Sequence, residues 1–180
     1  MKAETLSTQM IYKGKIFDIH VDDIREGEIG YKRDVVVHPG SAVVVPVFDN
    51  GTVGFVRQYR HAAGKYLLEI PAGSLEGDED PELGALRELE EEIGFRAGKI
   101  EKLSEFYVSP GFLTEKMYVF LATELTESNQ NLDDDEIVEI VRIPFAEALG
   151  LIRTGEIEDA KTMVGLMMAF DYLQMRETRL

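Results

Sequence analysis

The sequence predicts an α/β fold in which mixed strands come first and helices close the chain. Three observations carry that expectation. Short apolar runs with strand-like alternation occupy most of the chain up to Glu124. One helix is framed by its own start and stop, Asp80-Pro81 and Gly94. Two further stretches of helical character, Phe145–Thr154 and Ala160–Arg176, end the chain.

Each element has a local reason. Met10–Ile24 and Tyr31–His38 are expected as strands around a polar turn at Arg25–Gly30. Ser41–Phe48 and Val53–Tyr59 are expected to form a hairpin with Asp49-Asn50-Gly51 as its turn. Tyr66–Ile70 leads as a strand into the glycine-punctuated loop Pro71–Asp78. Asp80 is an N-cap with Pro81 at the first helical position, and Gly94 supplies the C-terminal stop. Lys102–Val108 and Met117–Glu124 are strands flanking the loop Ser109–Glu115, and Ile137–Pro144 is a short strand. Asp159 caps the last helix, in which Met163, Met167 and Phe170 share a stripe of helical spacing, expected as core packing rather than a cofactor site. A boundary near Pro39-Gly40 separates an N-terminal β region, residues 1–40, from a main domain, residues 41–180.

Composition excludes several functions. The net charge of −15, with no basic stripe to offset it, argues against nucleic acid as a partner. An anionic substrate would then need cations in its cleft. No apolar run reaches the roughly 18 residues of a membrane span, and MKAETLSTQMIYKGK lacks a signal-peptide apolar core, so a cytoplasmic location is expected. The absence of cysteine removes thiol catalysis, disulfides and thiolate-bound zinc.

The chemistry concentrates in residues 73–95. Gly73, Glu79, Arg87, Glu88, Glu91, Glu92 and Gly94 fall on the spacing G-x5-E-x7-R-E-U-x-E-E-x-G-U, with Leu89 and Phe95 at the bulky apolar U positions. At about 100° per residue, Leu83, Leu86, Leu89 and Ile93 are expected on one side of the helix and Glu88, Glu91 and Glu92 on the other. Carboxylates at i, i+3 and i+4 repel by roughly 0.2–0.5 kcal/mol per pair. A divalent cation converts that repulsion into binding, and hard oxygen donors suit Mg²⁺ or Mn²⁺ carrying substrate phosphates. A solvated acidic face is the plainer alternative for such a helix. The preceding loop favours the metal, because Gly73 permits close backbone approach and the loop can present a carbonyl.

This spacing resembles the box of the Nudix hydrolases, with no position missing. The resemblance implies an α/β/α sandwich with a mixed sheet, and a Mg²⁺ site (Mn²⁺ a possible substitute) held by Glu88, Glu91, Glu92 and the Ala72 carbonyl. Arg87 would brace the carboxylates, with Glu91 at i+4 in reach. Outside the box, Tyr107-Val108-Ser109-Pro110-Gly111, Arg57-Gln58-Tyr59-Arg60 and Gly155-Glu156-Ile157 with Asp159 and Lys161-Thr162 are similar to the ADP-ribose pyrophosphatase and nucleoside-diphosphate-sugar hydrolase branch. That branch implies Mg-dependent cleavage of ADP-ribose to AMP and ribose 5-phosphate, and a homodimer formed through the N-terminal sheet. Arginine forks pair bidentately with diphosphate oxygens, so Arg60 is the leading phosphate ligand and Arg57 and Arg33 are further candidates. Gly111 in the Ser-Pro-Gly loop and Glu115 just after it, able to accept from a ribose hydroxyl, complete the expected substrate contacts. Within Asn131–Glu136 the resemblance implies a general base or water-orienting carboxylate, placed at Glu136 with Asp133 to Asp135 as alternatives. A GDP-mannose or UDP-glucose hydrolase is the alternative enzyme. A non-catalytic nucleotide sensor is the alternative from another class, and the complete box argues against it.

Overall fold

A computed structural model describes residues 2–132 and 137–178. In chain order the elements are β1 (Glu4–Lys13), β2 (Asp18–Glu26), β3 (Ile29–Val37), β4 (Ser41–Pro46), β5 (Thr52–Arg60), β6 (Lys65–Glu69) and β7 (Ala72–Ser74). Then follow α1 (Pro81–Ile93), β8 (Phe95–Tyr107), β9 (Lys116–Glu127), β10 (Val138–Pro144), α2 (Phe145–Thr154) and α3 (Ala160–Glu177). The chain divides into two compact units, Met1–Gly40 with Phe106–Met117, and Ser41–Glu105 with Tyr118–Leu180.

The larger unit is organised by β4, whose six residues are all buried. A run such as Ala-Val-Val-Val needs cover on both faces, as in a sheet between helices. Ala42 and Val44 pack in a cluster with Ala85, Leu89 and Ile93 of α1 and with Phe120 and Ala122 of β9. The opposite face meets α3, where Gly165 lies so close that a Cβ would stand 2.5 Å from Ile70 Cδ1 and 3.1 Å from Val45 Cγ2. The sheet β7-β4-β9-β8 is thus layered between α1 and α3, and a second sheet, β10-β5-β6, is antiparallel throughout.

Four expectations change here. The hairpin of β4 and β5 is limited to its turn: Phe48 N bonds Thr52 O at 2.9 Å and Val47 bridges Val53. Beyond it the strands enter different sheets. Pro46, the next position along that register, has no N–H to continue a ladder. The loop after β6 contains a short strand, β7, paired to β4 with Val43 opposite Ala72. In α1, Leu83 is 61% exposed and the buried side consists of Gly84, Ala85, Glu88, Leu89, Glu92 and Ile93, so two carboxylates share the core-facing side. In α3 the buried stripe is Thr162, Leu166 and Ala169, while Met167 is 60% exposed and Phe170 stacks on Phe145 at 6.1 Å. The tight approach at Gly165 sets that rotation, leaving Met167 and Phe170 on the more exposed side.

The smaller unit holds the antiparallel sheet β1-β2-β3. Met10–Ile24 is two strands rather than one, reversed at Gly14, whose N–H bonds Phe17 O at 3.1 Å. Ile16 and Phe17 carry the apolar pattern through this turn, which hides it from periodicity. All of β1 is exposed, with Leu6, Met10, Ile11 and Tyr12 each about half exposed. In the same unit, Thr114 N bonds Val36 O at 2.9 Å and Val36 N bonds Phe112 O at 2.7 Å, fastening the loop after β8 to the end of β3. Among the described residues no helix is long and apolar enough to cross a membrane.

Candidate active site

The helix that carries the box starts and stops by local chemistry. Asp80 Oδ1 accepts from Glu82 N at 2.9 Å. Gly94 closes the helix at φ 70°, a left-handed position that glycine adopts at little cost, and its N–H bonds Glu90 O. Between these ends Arg87 gathers the carboxylates. Its Nε and Nη2 donate to Glu79 Oε1 and Oε2, both at 3.0 Å. Its Nη1 donates to Glu88 Oε1 at 2.6 Å and to Glu91 Oε2 at 2.9 Å, and Nη2 also reaches Ser74 O at 3.3 Å. The hydrogen bonds that Arg87 donates to Glu79 lead in holding the guanidinium above its ordinary pKa, against burial, with Glu88 and Glu91 adding to them. In return the Arg87 fork keeps the Glu79 carboxyl below the usual carboxylate range.

The loop and helix lock through the two buried acids. Glu92, 2% exposed, accepts from Ala72 N at 3.1 Å. Glu88, 7% exposed, lies against Gly73 so closely that a Cβ would stand 1.9 Å from its Oε1. Ala72, Gly73, Arg87, Glu88, Glu91 and Glu92 are therefore brought together, with Glu79 as the partner that the sequence reading left without a role. Its signal was present, since Glu79 is a box position.

Hard oxygen donors crowded at a glycine cradle fit a divalent cation, which would be held by Glu88, Glu91 and Glu92. Among the described residues no three His, Asp or Glu side chains converge at metal-ligating geometry. The reason is visible: Arg87 draws Glu88 and Glu91 to itself, while Glu92 faces the Ala72 amide.

The expected substrate residues are distributed differently. Arg60 is in the same unit as the box, and its fork is engaged by Glu69, Nε to Oε1 at 2.7 Å and Nη2 to Oε2 at 2.8 Å. Arg57 is exposed, paired with Glu139 at 3.5 Å and placed over the Tyr66 ring at 5.2 Å. Arg33, Gly111 and Glu115 belong to the smaller unit. There Arg33 lies over the Tyr31 ring at 4.3 Å, Gly111 sits in the turn closed by Leu113 N to Ser109 O at 3.0 Å, and Glu115 Oε1 is 3.9 Å from His38 Nδ1. Glu136, with Asp133 to Asp135, lies outside the described residues.

The comparison with known proteins agrees with this box. A family model described as the NUDIX domain matches residues 38–164. The chain belongs to the Nudix family. Among curated relatives, ADP-ribose pyrophosphatase of Bacillus subtilis (strain 168) is 42% identical over 98% of this chain and 95% of its own length. Methanol dehydrogenase activator of Bacillus methanolicus is 38% identical over 97% of this chain and 94% of its own length. GDP-mannose pyrophosphatase of Escherichia coli O1:K1 / APEC is 35% identical over 84% of this chain and 82% of its own length. Among solved structures, an ADP compounds hydrolase superposes with a TM-score of 0.84 at 22% identity, covering 98% of this chain and 96% of that one. That likeness establishes the Nudix fold, an α/β architecture with a mixed sheet and a small additional N-terminal sheet.

Proposed function

We propose that this Nudix protein hydrolyses the diphosphate of ADP-ribose to AMP and ribose 5-phosphate in the cytoplasm, with Mg²⁺ as the working cation and Mn²⁺ as a substitute. The observation that carries the hydrolysis is the carboxylate set bound to Arg87, with Glu88 pressed against Gly73 and Glu92 bonded to Ala72 N. The choice of ADP-ribose is supported by the near-full-length likeness to the Bacillus subtilis ADP-ribose pyrophosphatase.

In this reading Glu88, Glu91, Glu92 and the Ala72 carbonyl hold the cation. When bound, a divalent cation neutralises the diphosphate and lowers the pKa of its water. Arg87 orients Glu88 and Glu91 and sets the spacing of their oxygens. Arg60 gives its remaining Nη1 donor to a phosphate oxygen, and Arg57, Arg33, Gly111 and Glu115 are the further candidates for substrate contacts. Glu136 takes the proton from the attacking water or orients it, with Asp133 to Asp135 as alternatives. The exposed apolar side chains of β1, Leu6, Met10, Ile11 and Tyr12, support a homodimer through the N-terminal sheet, because a second copy would remove them from water.

A second reading is a nucleoside-diphosphate-sugar hydrolase taking GDP-mannose or UDP-glucose, favoured by the likeness to GDP-mannose pyrophosphatase. Chromatographic product analysis with ADP-ribose and GDP-mannose in parallel, plus and minus Mg²⁺, separates the two. Mg²⁺-dependent AMP release from ADP-ribose with slow GDP-mannose cleavage is expected, and Glu92→Gln should lower it by orders of magnitude in a folded protein. Faster release of GMP would transfer the assignment to the second reading.

A further inference from the structure

Outside the box, two acids and two bases form a cluster around the buried Glu69 that spans the chain from β5 to α3. Glu69, at the end of β6, is 1% exposed and receives the Arg60 fork. Its Oε2 also accepts from Lys161 Nζ. Lys161, 9% exposed, lies 3.0 Å from Asp159 Oδ2. Asp159 caps α3 by accepting from Thr162 N at 2.9 Å and Thr162 Oγ1 at 2.6 Å. Thr162 Oγ1 in turn accepts from Ile70 N at 2.9 Å. The first turn of α3 is therefore latched to the residue that follows Glu69.

The cluster is neutral only while Lys161 is charged. Without it Glu69, 1% exposed, would keep only the Arg60 fork and Asp159 would lose its ion pair, and a buried carboxylate lacking its full complement of partners is strongly disfavoured. A purely structural cluster could end anywhere. This one ends on a guanidinium that is 40% exposed and within electrostatic reach of Glu92. The short segment from Glu69 to Ala72 joins the same two places, since Glu69 clamps Arg60 and Ala72 N bonds Glu92. A bidentate fork fixes the guanidinium plane as well as its position.

We propose that Lys161 is a positioning residue for hydrolysis: it completes the charge on Glu69, so that Glu69 holds Arg60 in one orientation and leaves Nη1 for a substrate phosphate oxygen. The inference rests on the proposed diphosphate hydrolysis, because Arg60 needs a diphosphate to meet. Its test pairs a physical and a catalytic readout on the full chain. The first is solvent exchange of the Arg60 Nε–H, followed by nuclear magnetic resonance and assigned with Arg60→Ala. Exchange should be slow in the wild type and in Lys161→Arg, and fast in Lys161→Met. The second is a double-mutant cycle on ADP-ribose turnover. Lys161→Met should lower kcat/KM on the order of 100-fold, the cost of misplacing a positioned group, with Lys161→Arg recovering part of it. In the Arg60→Ala background Lys161→Met should cost nothing further. Slow exchange in Lys161→Met, or losses that multiply in the double variant, would overturn the proposal. If Lys161→Met does not fold, Lys161→Gln, a neutral donor, takes its place in both readouts. A wild type silent on every diphosphate would remove the proposed function, while the exchange measurement would still decide whether Lys161 fixes Arg60.

Discussion

Replacing Gly73 by alanine adds one methyl group to the box, directly against Glu88. The added Cβ would stand 1.9 Å from Glu88 Oε1, 2.3 Å from its Cδ and 2.7 Å from Oε2. Ordinary contact begins at 3.4 Å, so Oε1 must retreat by 1.5 Å. Gly73 does not have a left-handed φ, so alanine adds no backbone strain there. Retreat is not free, because Glu88 is 7% exposed and Arg87 Nη1 holds its Oε1 at 2.6 Å. A displacement of this size in a carboxylate proposed to hold the cation should cost about 100-fold in rate, and overpacking costs about 1–3 kcal/mol of stability. We therefore expect Gly73→Ala to fold, to melt somewhat lower and to lose about two decades of kcat/KM. The assay couples hydrolysis to a phosphatase, since AMP and ribose 5-phosphate carry terminal phosphates and ADP-ribose does not. A thermal melt followed by circular dichroism controls for folding. Wild-type turnover by a folded Gly73→Ala protein would refute the argument that the glycine exists to seat Glu88.

Other perturbations read other parts of the molecule. Gly150 lies inside α2 with open space where a Cβ would go, so Gly150→Ala should add about 0.8–1.0 kcal/mol by helix propensity. That gain corresponds to a Tm rise of about 2–4 °C for a chain of this size, and an unchanged or lower melt would contradict it. Burial of Glu69 works against its charge but is outweighed by the Arg60 fork and Lys161, which hold its carboxyl below the usual range. Its contribution to stability is thus present above the unfolded value of about 4.3 and lost as pH falls through the lower folded value. Denaturant titrations across acid pH should show a shallower decline in Glu69→Gln than in the wild type, and parallel declines would remove Glu69 from the acid response. Sedimentation should report twice the chain mass at micromolar protein, shifting toward monomer in Ile11→Asp on the exposed β1; a wild-type monomer would dismiss the N-terminal interface.

The parts legible in the sequence are those written locally. Asp80, Pro81 and Gly94 frame α1 because capping groups and a left-handed glycine act within one turn of the chain. The spacing of Glu88, Glu91 and Glu92 is legible for the same reason, since a helix converts sequence separation directly into angle. Which side of that helix is buried was not legible. Glu88 and Glu92 face inward because β7 and Gly73 come to meet them, and β7 exists only through its pairing with β4. The separation of β4 from β5 depended on better partners elsewhere in the chain, and the rotation of α3 on the close approach of Gly165 to Ile70 and Val45. Arg87 also shows the division. An i+4 reach to Glu91 is readable from the helix alone, whereas the fork on Glu79 requires the loop to fold back. Glu69 and Lys161 lie 92 residues apart and meet only after α3 packs on the sheet. Local rules bias backbone angles and periodicity, so they determine elements and motif spacing. Packing decides which faces are dry and which distant charges must neutralise one another, because that depends on every surface the chain has to bury at once.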